Sequence, residues 1–559
     1  MIIFLNGKWN VFNHFFVFLP FFWDYQMVGQ CCSGYFSIKE LEVGSDLANS
    51  LKGIERETLR ITVNKENGTT ISDVPHSQSL GAPLTHKYLK LDFAEALEEI
   101  VTPPTTSNHD LLDFLTAAHK VILEAHSEEF LWPFSSPPKI PDTEIPVADF
   151  GKSFPALFRH KYREDLACRY DAYQCQLLAG IHFNFSLPIS VLQRIANQQS
   201  ISTFEARNNV YFNAYRNVQL YSWIVILLTG NSQFLHETYF KDPSEMKTLD
   251  FESACSLRNS YVGYKNPPAP QLSKPVNTLS EYCEMLRVAC STPYRDFQCC
   301  KNVLSNNLIQ VPAEFYGSIR PKSLACFSSD PIQAEVDSWN TPYLLEKGGI
   351  NYLELRCVDV QYNSAIGVTL ELLDFLEVFM LFCCFRPCQN LTQTDVDQAA
   401  EFTDDVSLSG RKLFHDNVEM PLVYQRICNC RATMNCCLNY FFSREFLPIA
   451  EILDENLQEK HYVASITHYL DRLSPTKLIS AELANNCNGS VDGFLEFGQA
   501  LARKYKSLIT QADVKESFIN QIKDDVARSI AELQALEARD ADSSQFCDYV
   551  GRIMSAVTL

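Results

Sequence analysis

Two glutamates, Glu55 and Glu57, stand two residues apart in the motif ERETLR. Residues 54–63 around them predict a β-strand, in which alternate side chains point to opposite faces, so the two carboxylates share one face while Thr58 and Arg60 share the other. Two carboxylates this close raise each other's pKa unless a cation lies between them. A hard divalent ion such as Mg²⁺ or Mn²⁺ suits an oxygen site of this kind. A solvated strand face explains these six residues equally well.

Three further segments repeat this construction. The polar residues that share a face are Glu95 and Glu99 in residues 92–103, His182, Asn184 and Ser186 in residues 180–188, and Glu354 and Arg356 in residues 352–359. Each segment alone is explained by an exposed face, or in the last one by a surface ion pair worth little. Taken together, the four segments predict a curved antiparallel sheet whose outer face packs on helices. Its concave face would then be a polar, metal-lined pocket.

The composition limits the classes of partner. A chain of 559 residues with 46% hydrophobic and 20% charged residues is an ordinary globular protein. Its formal charge of −20 argues against a general binder of nucleic acid or of anionic membranes. A nucleotide site is still compatible with this charge, because it needs only local arginines and metal ions.

The chain contains 20 cysteines, partly as vicinal pairs. Because no clear signal peptide precedes them, we interpret them as reduced cytosolic thiols that serve as small apolar residues. The cluster Cys428, Cys430, Cys436 and Cys437 could bind zinc. It lacks a CxxC pair and a nearby histidine, which favours buried or incidental thiols over a metal site.

The first 26 residues are rich in aromatic side chains. Their apolar run, residues 15–23, is too short to span a bilayer and contains Pro20. A basic start and a small-residue cleavage site, which a signal peptide requires, are not evident. We therefore expect Met27 to be the translation start and residues 1–26 to be an extension outside the folded protein.

The remaining pattern is mainly helical. Apolar spacing predicts helices over residues 111–126, 162–179, 366–385 and 515–537. The third of these is strongly apolar, but Glu371, Asp374 and Glu377 indicate a core helix instead of a membrane span, and Pro387 ends it. Without repeats or low-complexity tracts, the sequence predicts one large α+β unit with a helical C-terminal region.

Seven segments, in order, resemble the proteobacterial class of glutamate–cysteine ligase. They are GIERETLR, THKYLKLDFAEALEEIVTPP, KYREDL, GIHFNFSLP, CSLRNSYVGY, EFYGSIRPK and GGINYLELRCVDV, and the resemblance covers about residues 40–385. The resemblance implies a fold similar to glutamine synthetase, with a funnel of antiparallel strands surrounded by helices. It also implies a catalytic core over residues 27–395 and a helical C-terminal region, residues 396–559, packed on it.

The reaction implied is ligation driven by ATP. The γ-carboxylate of glutamate would attack the γ-phosphate of ATP, and the amine of cysteine would displace phosphate from γ-glutamyl phosphate to give γ-glutamylcysteine, the first step of glutathione synthesis. Bound Mg²⁺ (or Mn²⁺) would neutralise the repulsion between carboxylate and triphosphate. The alternative is a ligase of the same fold that uses a different amine. The expected partners are glutamate, cysteine and ATP, with no nucleic acid or membrane, for a cytoplasmic monomer.

The resemblance also assigns residues to roles. The implied metal ligands are Glu55, Glu57, Asp92, Glu99, His182 and Glu354. The implied substrate-binding residues are Phe93, Tyr162, Arg163, Leu166, Tyr264, Tyr316 and Arg320. The implied catalytic residues are Arg356, which would stabilise the transferring phosphoryl group, and Arg258, which would bind a substrate carboxylate in bidentate fashion.

Two segments depart from the family pattern. Asp359 is followed by Val360-Gln361-Tyr362-Asn363, where the family usually has an Asn-Pro-Phe-like run. The segment GKSFPALFRH replaces a polar, glycine-containing loop before KYREDL. Because that loop would close over the substrate, cysteine as the acceptor is the part of the expectation that the resemblance supports least.

Overall fold

An antiparallel sheet positions the polar residues identified above. The computed structural model describes residues 38–64, 68–141, 145–170, 174–428, 432–457 and 460–559. Its strands are β1 (Leu51–Asn64), β2 (Gly68–Ile71), β3 (Leu89–Leu91), β4 (Leu97–Val101), β5 (Phe130–Leu131), β6 (Ile181–Ser186), β7 (Ile319–Lys322) and β8 (Tyr352–Val358). They pair in the order β3-β4-β1-β6-β8-β7, while β2 and β5 pair with the far half of β1.

The register of the sheet brings the polar segments together. Glu57 on β1 is opposite Glu99 on β4, and Glu55 on β1 is opposite His182 on β6. Asn184, further along β6, is opposite Glu354 on β8. The predicted curved sheet with one polar concave face is therefore confirmed. The polar face forms because the polar residues, which occupy every second position of their strands, lie opposite one another across neighbouring strands.

Helices surround this sheet. Those before residue 396 are α1 (Ile38–Leu41), α2 (Gly44–Leu47), α3 (Asn108–Ala125), α4 (Phe154–Arg169), α5 (Ile189–Gln199), α6 (Thr203–Thr229), α7 (Leu279–Ser291), α8 (Pro331–Trp339), α9 (Thr341–Gly348) and α10 (Leu370–Phe385), and α11 (Gln393–His415) begins just before it. The apolar residues of the sheet, such as Phe183 and Leu355, are fully buried. Helix α6 packs on β8 and helix α10 on β6.

The C-terminal region is helical, as predicted. Its helices after α11 are α12 (Leu422–Cys428), α13 (Met434–Tyr440), α14 (Leu447–Asn456), α15 (Tyr462–Asp471), α16 (Ile479–Asn486), α17 (Val491–Gln511), α18 (Glu516–Arg539) and α19 (Phe546–Thr558). Helices α17 and α18 pack on α3, and α19 packs on α8. All the described residues fall within one compact unit.

Helix α10 is a core helix, as its charges indicated. Glu377 is fully buried and accepts a hydrogen bond from Lys52 Nζ on β1 at 2.9 Å. Asp374 is equally buried and lies 2.7 Å from His461 Nδ1. Both buried charges of this apolar helix therefore have a polar partner, as burial requires. In the described part of the chain, every helix is too short or too polar to cross a membrane.

Some local predictions differ from the structure. The helix predicted over residues 162–179 is α4, which begins at Phe154 and ends at Arg169. Pro155 stands in its first turn, where the missing N–H costs no helical hydrogen bond. Residues 1–37, including the start predicted at Met27, lie outside the described residues, as do Cys430 and the side chain of Cys428.

Candidate active site

One cavity of about 500 Å³ opens over the concave face of the sheet. All the site residues predicted from the sequence line it, namely Glu55, Glu57, Asp92, Phe93, Glu99, Tyr162, Arg163, Leu166, His182, Arg258, Tyr264, Tyr316, Arg320, Glu354 and Arg356. They come from β1, β4, β6, β7 and β8, from α4 and from the loops between these elements. The structure thus gathers in one place side chains that are up to 301 positions apart in the sequence (356 minus 55).

Glu55, His182 and Glu354 form the first cluster in this cavity. Their ligand atoms all lie within 4.8 Å of one another. His182 Nδ1 is 3.2 Å from Glu55 Oε2, and Asn184 Nδ2 donates to Glu55 Oε1 at 3.0 Å. Burial and the charge of Arg356 lower the pKa of His182, which keeps its imidazole neutral and able to bind a cation.

Glu57 and Glu99 form a second acidic pair with Asp92 nearby. Burial, together with the charges of Asp92 and Glu99, raises the pKa of Glu57 to about 8 against the opposing effect of Arg258. Burial, Glu55 and Asp92 likewise raise the pKa of Glu99 to about 7. The side chains present therefore leave this half of the cavity with excess negative charge, which a divalent cation would relieve.

Glu354 has the opposite environment. Lys322 Nζ lies 2.7 Å from its Oε2, Arg320 Nη1 lies 3.8 Å from its Oε1, and Arg356 donates to the same Oε1. Burial disfavours the charged form, but these three cations outweigh it and hold the pKa of Glu354 well below its usual range. Glu354 is therefore a carboxylate shared between the acidic cluster and a basic group.

Arg258 lies beneath the sheet-facing end of the cavity. Its Nη2 donates to the carbonyl of Arg356 at 3.1 Å, its Nη1 donates to that of Val358 at 3.3 Å, and Asp359 Oδ1 is 3.8 Å away. A Cβ at Gly180 would stand 2.0 Å from Nη2 of this guanidinium, so a larger residue there would displace the Arg258 side chain from its present position. Arg258 is held in place by these contacts and still borders the cavity.

The opposite wall is aromatic. Tyr162 and Leu166 on α4 face Tyr264 and Tyr316, whose rings meet edge to face with centroids 5.8 Å apart. Trp339, the last residue of α8, packs against Tyr162 at a centroid distance of 5.9 Å and borders the same cavity. This wall has the size and the hydroxyl groups to take a small polar molecule with an apolar side chain.

Several cavity residues were missed by sequence reasoning. They are Arg159, Cys175, Gln176, Leu178, Ala313, Glu314, Lys322, Ser338 and Trp339. Lys322 had a usable signal, because Arg320 and Lys322 alternate around Pro321 on β7 and so share a face. Glu95 was paired with Glu99 in the prediction, but its carboxylate instead accepts from the backbone N–H groups of His76 and Asp149, because a turn precedes β4.

The donor set fits a divalent cation. Carboxylates with one neutral imidazole are the ligands that Mg²⁺ or Mn²⁺ accepts. Glu55, His182 and Glu354 are close enough for one ion, and the raised pKa values of Glu57 and Glu99 show that these two carboxyl groups have too little positive charge around them.

A sequence model described as glutamate–cysteine ligase matches residues 37–406, more than half of the chain. The chain belongs to the glutamate–cysteine ligase family. A glutamate–cysteine ligase of Alcanivorax borkumensis is 29% identical over 538 residues, which cover 91% of this chain and 96% of the relative. One of Pseudomonas aeruginosa is 35% identical over 355 residues, which cover 61% of this chain and 64% of that relative. The resemblance seen in the seven segments is thus confirmed, and this member of the family is a ligase.

Solved structures agree with the fold. The crystal structure of a glutamate–cysteine ligase from Francisella tularensis, in complex with AMP, has a TM-score of 0.78 at 23% identity and covers 91% of this chain and 98% of its own. A bifunctional glutathione synthetase from Pasteurella multocida has a TM-score of 0.64 at 23% identity, over 84% of this chain and 54% of its own. The predicted funnel of antiparallel strands with a helical C-terminal region is confirmed as the fold of this family member.

Proposed function

We propose that this ligase joins the γ-carboxylate of L-glutamate to the amine of L-cysteine at the expense of ATP, in the cytoplasm, as the first step of glutathione synthesis. A carboxylate oxygen of glutamate bonds to the γ-phosphorus of ATP while the bond to ADP breaks. The amine nitrogen of cysteine then bonds to the acyl carbon of γ-glutamyl phosphate, phosphate leaves, and the amine releases a proton. The products are γ-glutamylcysteine, ADP and phosphate.

The acidic half of the cavity serves the phosphoryl transfer. Glu55, His182 and Glu354, with Glu57 and Glu99 beside them, would hold Mg²⁺, which when bound supplies positive charge between the two anionic substrates. These side chains also orient one another, since His182 Nδ1–H can donate to Glu55. Asp92 is paired with Arg163 at 3.2 Å and stands at the margin of the group.

Two arginines bind the negative charges of the substrates. Arg356 is fixed by Glu354, and its buried Nε has no hydrogen-bond partner among the described residues. A guanidinium held in this way stabilises a phosphoryl group whose charge spreads over its equatorial oxygens. Arg258 is positioned by backbone carbonyls and keeps donors for the α-carboxylate of an amino-acid substrate.

The aromatic wall serves the acceptor. The Tyr162 side chain is partly buried, and loss of solvent together with the charge of Glu314 raises the pKa of Tyr162, so its hydroxyl remains a neutral donor. Tyr264 and Tyr316 add two further rings, and Leu166 supplies an apolar contact. A cysteine side chain, small and weakly polar, suits this mixture of ring faces and hydroxyls.

The observation that carries the proposal is the shared cavity. A cluster of five acidic or imidazole ligands, two arginines and an aromatic wall meet within about 500 Å³, in a member of a ligase family. A site of that size has room for an amino acid beside the end of a triphosphate.

The test is ADP release by the full-length protein with ATP, Mg²⁺ and glutamate, with cysteine, α-aminobutyrate or ammonia as acceptor. Cysteine should give the highest kcat/KM, and mass spectrometry should find γ-glutamylcysteine. If ADP release did not depend on cysteine, or if kcat/KM were higher with ammonia, the proposal that cysteine is the acceptor would be wrong. Failure of glutamate to support turnover would reject the donor.

A further inference from the structure

A second group of titratable side chains lies behind the sheet, on the face of β1 opposite to Glu55 and Glu57. We call it the back cluster. It consists of Arg60 on β1, Glu98 on β4, His76 in the loop after β2, and His126 and Glu129 after α3. The side chains of these five residues are at most 6% exposed. The proposed ligation does not use any of them.

Three members of the back cluster converge as metal ligands do. The ligand atoms of His76, Glu98 and His126 all lie within 4.8 Å of one another. His76 Nδ1 is 3.3 Å and His126 Nε2 is 3.9 Å from Glu98 Oε1. Tetrahedral zinc, with bonds near 2.0–2.2 Å, requires ligand atoms roughly 3.3 Å apart. The group needs only a small contraction to reach that spacing.

Glu129 fixes the tautomer of His126. His126 Nδ1 lies 2.6 Å from Glu129 Oε2 and 3.3 Å from Arg60 Nη1, and the shorter contact assigns the proton to the bond between Nδ1 and Glu129. In the neutral ring, Nε2 then carries the lone pair, and it has no hydrogen-bond partner among the described residues. Glu129 therefore holds one nitrogen of the His126 ring and leaves the other nitrogen available to a metal ion. Zinc-binding histidines are commonly oriented by a carboxylate in this way.

The charge of Arg60 is already engaged. Its Nη1 donates to Glu129 Oε2 at 2.7 Å, and its Nη2 donates to the carbonyls of Val74 and Glu95. Its Nε is 2.9 Å from Glu98 Oε1, while Glu98 Oε2 is buried and has no hydrogen-bond partner in the part of the chain that the structure describes. Arg60 is thus shared between Glu98 and Glu129, so the three side chains together carry one net negative charge, which a bound cation would offset.

We propose that the back cluster is a binding site for a zinc-class divalent ion, with His76, Glu98 and His126 as ligands and Glu129 as the carboxylate that orients His126. Two imidazoles and one carboxylate favour Zn²⁺ over Mg²⁺, because Mg²⁺ prefers oxygen. The ion would tie the loop that carries His76 to α3 and to the back of the sheet. Val74 and Pro75, which precede His76, are exposed, so this loop lies at the protein surface.

The test measures zinc on the full-length enzyme in the presence of excess Mg²⁺, which occupies the oxygen-rich site in the cavity. The wild type should retain one zinc per chain after gel filtration. His126→Gln and Glu98→Gln should lose it, and Glu129→Gln should weaken the affinity by about 10–100-fold. Cobalt substitution should give the visible absorption of a four- or five-coordinate site in the wild type and not in His126→Gln.

Two controls separate this site from the cavity. Glu354→Gln removes a cavity ligand and should keep the zinc, and His109→Gln changes an exposed histidine on α3 and should also keep it. Zinc that is lost in Glu354→Gln and kept in His126→Gln would overturn the proposal. Should His126→Gln fail to fold, anomalous diffraction from zinc-soaked wild-type crystals decides: a peak between His76, Glu98 and His126 supports the site, and no peak there rejects it.

Discussion

Glu57 on β1 and Glu99 on β4 lie directly opposite each other in the antiparallel register, and both border the cavity. Like charges in this position destabilise a strand pair. Burial, Asp92 and Glu99 raise the pKa of Glu57 to about 8, and burial, Glu55 and Asp92 raise that of Glu99 to about 7. Two carboxylates at these positions lower the stability of the folded protein when no cation is bound. Keeping them there is typical of a site that binds a cation.

The first prediction concerns Glu99→Gln. Above pH 4.5 the unfolded glutamate loses its proton, whereas the folded one keeps it until about pH 7, so the wild type without metal loses stability as the pH rises through this window. Glu99→Gln should not lose this stability as the pH rises, because glutamine does not ionise. In EDTA its Tm should exceed that of the wild type by about 1–3 °C at pH 8 and by less at pH 5.

Glu128→Gln is the matched control, because Glu128 is exposed and far along the chain from the cavity strands. It should leave both Tm and activity unchanged. Glu99→Gln should lower kcat/KM by about 100-fold, because the proposed cation site would lose one of its carboxylates. Equal Tm values for Glu99→Gln and wild type at all pH values would contradict the account of the acidic pair.

Glu354→Gln should lower the stability of the protein, in contrast to Glu99→Gln. Glu354 is fully buried between Lys322, Arg320 and Arg356, so its loss leaves three cations without their shared carboxylate. We expect a lower Tm in EDTA together with loss of activity and a weaker dependence on Mg²⁺. Scanning calorimetry and Mg²⁺ titration of ADP release measure the two effects, and near-normal turnover would show that the metal site is elsewhere.

Period-two alternation was sufficient to find the acidic face. Glu55, Glu57, His182 and Glu354 occupy alternate positions on their strands, and the alignment of β1, β6 and β8 that joins them is a direct consequence of antiparallel pairing. The Arg and Tyr roles followed from the family segments instead. A helix or loop residue has no comparable periodic signal that tells which cavity it borders.

The residues that the sequence did not indicate come from tertiary packing. Trp339 reaches the cavity because α8 is held by the C-terminal helix α19, through contacts such as Asn340 Nδ2 with the carbonyl of Ala556 at 2.6 Å. Arg60 was assigned to the face opposite the glutamates, correctly, but it is buried against Glu98 and Glu129. Pairings over such sequence distances leave no local pattern.

The third prediction concerns Trp339→Ala. Its ring contacts Tyr162 and Phe158, with centroid distances of 5.9 and 4.8 Å, so its removal leaves the acceptor wall without support. The KM for cysteine should rise about 10-fold, which is the loss of roughly 1.4 kcal/mol of binding, while the KM for ATP stays unchanged. Trp339→Phe should recover most of the affinity. Equal increases in both KM values would point to general unfolding of α8 instead.

The last prediction concerns acid stability and His119. This side chain is fully buried on α3, with Nδ1 2.7 Å from the carbonyl of Leu115 and Nε2 without a hydrogen-bond partner among the described residues. Burial and Arg56 lower its pKa to about 3. Below pH 6.5 the unfolded histidine binds a proton that the folded one refuses, so stability falls with falling pH by up to about 1.4 kcal/mol per pH unit.

His119→Phe removes the titratable imidazole and fills most of its volume with another ring. In urea unfolding between pH 5 and pH 8, the variant should lose less stability toward pH 5 than the wild type does, although His86, whose pKa burial lowers to about 4, keeps part of the slope. His468→Gln, at an exposed position on α15, should follow the wild-type curve. Parallel curves for His119→Phe and wild type would contradict this account, because they would mean that His119 binds its proton equally well in the folded and the unfolded protein.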